Sequence, residues 1–90
     1  MGDESPSARA AANPLRAVVE VVVRALVDKP DAVQVTESVR RGMTMLELTT
    51  APGDMGKVIG RQGRTVSALR TLVLLTAEKH GQRAQLDLRD

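Results

Sequence analysis

Between Asn13-Pro14 and Lys29-Pro30, Arg16, Glu20, Arg24 and Asp28 recur every fourth residue against Leu15, Val18, Val19, Val22 and Leu26. That spacing predicts an amphipathic helix whose polar stripe carries alternating-sign i,i+4 pairs. Asn13 reads as its N-cap and Pro14 as its first residue, where a missing N–H costs nothing; Pro30 closes the segment. The valines favour strand by propensity, but a strand of that length would be unusual, and the proline brackets suit a helix better. From Ala32 the rhythm shortens to two, with Val33 and Val35 set against Gln34 and Thr36. It resumes at Met43-Thr-Met-Leu-Glu-Leu-Thr-Thr after Arg40-Arg41-Gly42, which predicts a hairpin. Pro52-Gly53 ends the second strand, and Asp54 is placed to cap a short helix in which Met55, Val58 and Ile59 share one face and Lys57 points elsewhere. Gly60 stops that helix. A longer helix is expected from Gly63 to about His80, burying Val66, Leu69, Leu72, Val73 and Ala77 and ending at Gly81. Ala84, Leu86 and Leu88 alternate with Arg83, Gln85 and Asp87 in a last strand.

The predicted order is therefore αββααβ, an α+β fold in which the helices cover one face of a three-stranded sheet. We expect one domain over residues 14–90 behind a flexible tail, residues 1–13, because 90 residues of which 42% are apolar supply one modest core. The tail lacks the basic start and apolar run of a secretory signal, and no stretch is apolar for long enough to span a bilayer. A soluble, cytoplasmic protein is expected. With no Cys and one His, thiolate metal sites, a Cys nucleophile and a Ser-His-Asp set are all out of reach. Asp54, Glu47 and His80 are the best candidates for chemistry, and no spacing pairs them; His80 suits the end of a helix better. Neither enzyme activity nor a cofactor or metal is expected.

Net charge is only +2, but its distribution is uneven. From Met55 to Ala77 there are four cations, Lys57, Arg61, Arg64 and Arg70, and no acid, so the rest of the chain carries −2. These cations surround the turn Gly60-Arg61-Gln62-Gly63. Two glycines separated by two polar residues let the backbone turn sharply and let a ligand come close. The helix that starts there is expected to offer free N–H groups near Gly63, Arg64 and Thr65 to a phosphate. Val58, Ile59 and Val66 would supply an apolar floor, although each also suits a core, and Arg70 reads as a solvated or ion-paired side chain. Two other phosphate motifs fail on spacing. Gly53-Asp-Met-Gly56-Lys57 is too short for a Walker loop, and Gly56, Gly60 and Gly63 do not match the dinucleotide-binding Gly-x-Gly-x-x-Gly.

The run Gly56-Lys57-Val58-Ile59-Gly60-Arg61-Gln62-Gly63-Arg64-Thr65 resembles the signature of KH domains, in which Ile-Gly-x-x-Gly joins two helices and clamps about four nucleotides of backbone. The helix and strand order looks like the bacterial, type II arrangement of that family. More narrowly, the stretch from Ala51 to Thr65 and the Val-Asp-Lys-Pro of residues 27 to 30 are similar to the KhpA (YlqC-like) RNA-binding proteins, with coverage from about Leu15 to Leu88. The resemblance implies non-catalytic binding of single-stranded RNA, as a post-transcriptional regulator or RNA chaperone. The residues it assigns to RNA are Lys57, Ile59, Gly60, Arg61, Gln62, Gly63, Arg64 and Val66. The strand Arg83 to Leu88 would form the other wall of an apolar groove, with Gln82 and Arg83 near the variable loop. The absence of Phe, Tyr and Trp fits such a groove better than the aromatic platforms of RRM and OB-type binders. The resemblance also implies a homodimer, or a heterodimer with a larger KhpB/Jag-type protein, and roles in RNA regulation and cell-shape control. An interaction subunit with shared RNA binding is the alternative reading.

Overall fold

Asn13 begins the first helix, α1, Pro14–Leu26, by accepting the Leu15 N–H on its side-chain oxygen at 3.0 Å. The structure, a computed structural model, describes residues 13–89, so the expected tail lies outside the described residues except for Asn13. A one-turn 3-10 helix at Pro30–Ala32 leads into β1, Gln34–Arg40, and β2, Met43–Thr49. A short α2, Met55–Ile59, a 3-10 turn at Arg61–Gly63, α3, Arg64–Lys79, and β3, Arg83–Arg89, complete the order. The αββααβ prediction holds.

β2 is the central strand, antiparallel to β1 and parallel to β3, so the sheet is mixed. Its alternation sets the layers. Thr44, Leu46 and Leu48 are buried beneath the helices, whereas Met43, Met45, Glu47 and Thr49 lie on the open face. Leu15, Val19 and Val23 of α1, Val58 of α2, and Leu69, Val73 and Ala77 of α3 close over Val35, Leu46, Leu48 and Leu86 in one core.

Four expectations change at the side-chain level. In α1 the buried stripe is Leu15, Val19, Val23 and then Val27; Val18 and Val22 are only half-buried, and Leu26 is exposed. Both stripes of this helix repeat every fourth residue, and the core stripe runs beside the charged one. The charged stripe holds as far as Arg16–Glu20 at 3.0 Å and Arg24–Glu20 at 3.6 Å. The helix then ends at Leu26, so Asp28 pairs not with Arg24 but with Lys57, at 3.2 Å. In α3 Leu72 is 43% exposed rather than buried, because Leu69, Val73 and Ala77 take the sheet-facing side. Asp54 occupies the N-cap position of α2 without capping it. Its carboxylate is buried and accepts the Lys29 N–H at 3.0 Å, tying the end of α1 to the start of α2.

The far end of α3 closes as expected at Gly81. The Gln82 N–H reaches Ala77 O at 2.8 Å and the Gly81 N–H reaches Glu78 O at 3.2 Å, the paired bonds of a Schellman motif. No helix among the described residues is long and apolar enough to cross a membrane.

Candidate nucleic-acid interface

The turn between α2 and α3 is built from backbone that ordinary residues avoid. Gly60 (φ 75°, ψ 172°), Gln62 (φ 57°, ψ 25°) and Gly63 (φ 72°, ψ 15°) all have positive φ. At Gly60 both conformation and space demand glycine: an added Cβ would lie 2.7 Å from Thr65 Cβ and closer still to Thr65 Oγ1. At Gly63 only the conformation does, since a Cβ there would meet nothing within 4 Å. The backbone at Gly63 therefore faces open space, where a ligand can approach it.

Two of the three expected donors are taken. The Gly63 N–H is used within the turn, bonded to Gly60 O at 3.1 Å, and the Arg64 N–H is bonded to Arg61 O. The Arg61 and Gln62 N–H groups instead lack a hydrogen-bond partner among the described residues. The 3-10 closure uses the Gly63 and Arg64 N–H groups and leaves two donors open at the tip of the turn.

Around that tip, Arg61 is exposed and makes no ion pair among the described residues. Arg64 is exposed and donates to Gln62 Oε1 at 3.2 Å, while Lys57 is engaged by Asp28. Both members of the Lys57–Asp28 pair are solvated, so the pair is weak and an incoming phosphate can compete for the lysine. The three residues expected to share an apolar floor separate. Val58 is fully buried and Val66 nearly so, which leaves Ile59, 38% exposed, as the apolar side chain open to a ligand. Ile59 had been expected to share the packed face of Met55 and Val58; as the last residue of a short helix it turns outward.

Arg70 is neither simply solvated nor ion-paired. Its Nε donates to Leu86 O at 3.2 Å, engaging a carbonyl of the edge strand β3 and holding α3 against that strand. This contact spans sixteen residues of sequence, and nothing local signals it. Gln82 lies on the connection after α3 and Arg83 at the start of β3; the 16 residues of α3 extend about 24 Å from the turn. They are thus at the opposite end of α3 from Gly63. Among the described residues no three His, Asp or Glu side chains gather as a metal site.

The family model for the KhpA/KhpB KH domain matches residues 16–88. The RNA-binding protein KhpA of Halalkalibacterium halodurans is 46% identical over 76 residues, covering 84% of this chain and 100% of that protein. That of Clostridium acetobutylicum is 42% identical over 74 residues, 82% of this chain and 99% of the relative. That of Aquifex aeolicus is 40% identical over 74 residues, 82% and 94% of the two chains.

Proposed function

We propose, from the chain's membership of the KhpA/KhpB KH-domain family, that it binds single-stranded RNA without catalysis, as a cytoplasmic post-transcriptional regulator or RNA chaperone. The observation that carries this reading is the tip of the Gly60–Gly63 turn, where two unpartnered N–H groups and an unobstructed Gly63 backbone lie between Arg61 and Arg64. A phosphate oxygen accepts from the Arg61 and Gln62 N–H groups, and the two guanidiniums and the Lys57 ammonium neutralise its charge. Ile59 provides the apolar surface on which the adjoining base rests, and Val66 supports the start of α3 from below. Gly60 keeps the turn closed against Thr65.

The test is the pair Arg61→Asp and Gln62→Asp, introduced together. Both side chains are exposed, so circular dichroism and the melting transition stay close to wild type. RNA affinity collapses, because two carboxylates then repel the phosphate that the native turn attracts. Unchanged RNA binding by this variant would remove the turn from the interface.

Pairing belongs to the same reading and does not replace it, since the relatives are named for RNA binding. Val21 at 68%, Leu72 at 43% and Leu75 at 55% exposure are apolar side chains that α1 and α3 leave uncovered. They suit self-association or pairing with a larger KhpB/Jag-type chain. Light scattering of the wild type and of Leu72→Glu reads out the first of these directly.

A further inference from the structure

The open face of the sheet carries a second concentration of positive charge. Strand register places Arg40 opposite Met43 and Met43 opposite Arg83, so the three form one row across the sheet. Residues directly opposite share a face. Met43 alternates with the buried Thr44, which puts this row on the side away from the helices. Arg41 stands beside it at the hairpin tip. All three arginines are exposed, and none forms an ion pair among the described residues.

The acids of this face do not cancel them. Glu47 and Asp87 sit opposite one another in another row, where Glu47 is held by Arg89 at 3.0 Å and Asp87 accepts from Gln85 at 3.2 Å. Four steps along the strand separate Asp87 from Arg83, about 13 Å at ~3.3 Å each, which exceeds the Debye length of about 8 Å at physiological salt. The turn adds a second sign. Arg41 (φ 52°) and Gly42 (φ 79°) both have positive φ, the hairpin geometry in which Asn-Gly is preferred. An arginine in that first position gives up turn stability and keeps a charge among like charges.

We propose that Arg40, Arg41 and Arg83 form a second contact for the RNA backbone, at the end of α3 away from the Gly60–Gly63 turn, reached only by strands that run beyond the nucleotides held at that turn. The half-buried Met43 between Arg40 and Arg83 offers a base an apolar surface in a chain without aromatic side chains. The proposal rests on the RNA-binding reading above, and its test separates the two.

The triple variant Arg40→Gln, Arg41→Asn, Arg83→Gln removes the charge and leaves an Asn-Gly turn, so its melting temperature equals or exceeds that of wild type. Fluorescent single strands of about four and about sixteen nucleotides are titrated against both proteins over a range of salt. The short strand binds both equally. The long strand binds the variant more weakly, and its log-log salt slope is smaller by about 1.4 to 2.1, from ~0.7 for each of two or three phosphates lost. The extra registers available on a long strand are common to both proteins and cancel in the comparison. An unchanged slope and affinity for the long strand would overturn this proposal and leave the turn's role standing. Equal weakening for both lengths would overturn it as a separate contact. Failure of the wild type to bind either strand, seen equally in the Arg61→Asp, Gln62→Asp variant, would overturn both readings together.

Discussion

Gly60 and Gly63 occupy equivalent places in a sequence motif but answer to different constraints. At Gly60 any side chain meets Thr65 and must also adopt a backbone conformation that costs about 1–3 kcal/mol for residues other than glycine. At Gly63 the space is open and only the left-handed conformation opposes a side chain, at about 1–2 kcal/mol. Gly60→Ala therefore lowers the urea midpoint more than Gly63→Ala does. Gly63→Ala should keep the fold but place a methyl where the proposed interface brings the RNA backbone, and so should lose affinity out of proportion to its stability. Equal destabilisation by the two would contradict the contact with Thr65. The need for glycine is visible in the motif; the neighbour that enforces it is visible only after folding. Asp54 shows the converse. Local reading makes it a helix cap, whereas its buried carboxylate serves Lys29, twenty-five residues earlier.

Within elements, periodicity sets the type and approximate span but leaves the buried face uncertain by one position. The α3 pattern admits Leu69 and Leu72 alike, and their fates differ: Leu69 is 1% exposed and Leu72 43%. Leu69→Ala should cost about 2–5 kcal/mol in equilibrium unfolding, since it removes a fully buried side chain from the core. Leu72→Ala should cost less than about 1 kcal/mol in the monomer. Comparable losses would mean that the helix is rotated from the orientation described. The same uncertainty explains α1, where Val23 belongs to the core and Val22 lies at its border. Valine-rich helices carry little intrinsic preference, and packing against the sheet decides which side is covered.

At the scale of the molecule, one short turn with a few cations lacks the reach to follow successive grooves of a duplex, and among the described residues no long basic helix is present to enter a major groove. Single-stranded RNA should therefore be preferred over matched duplex at equal salt. For a strand of about four nucleotides the log-log salt slope should fall near −2 to −3, for about three or four phosphates neutralised. Fluorescence anisotropy with both forms checks this, and equal or tighter duplex binding would contradict a grip on splayed backbone. Affinity of the isolated domain should be modest, because one turn and one exposed Ile59 offer little contact area. Pairing would raise it only where both sites reach one strand.

Element order, the hairpin at Arg41-Gly42, the helix-turn-helix around Gly60–Gly63 and the surplus of positive charge there follow from the sequence alone, because each depends on residues within a few positions of one another. Proline, glycine and alternating apolar residues act locally, so their consequences can be read locally. The tertiary structure decided the rest. It turned Ile59 outward while burying Val58 and Val66, set Arg70 on the Leu86 carbonyl, gave Lys57 to Asp28 and aligned Arg40 with Arg83 across Met43. Each of these joins residues far apart in the chain, and their meeting depends on strand register and helix rotation. Those are settled by burying the largest apolar surface under the steric limits of the whole core, and no short stretch of sequence contains that information.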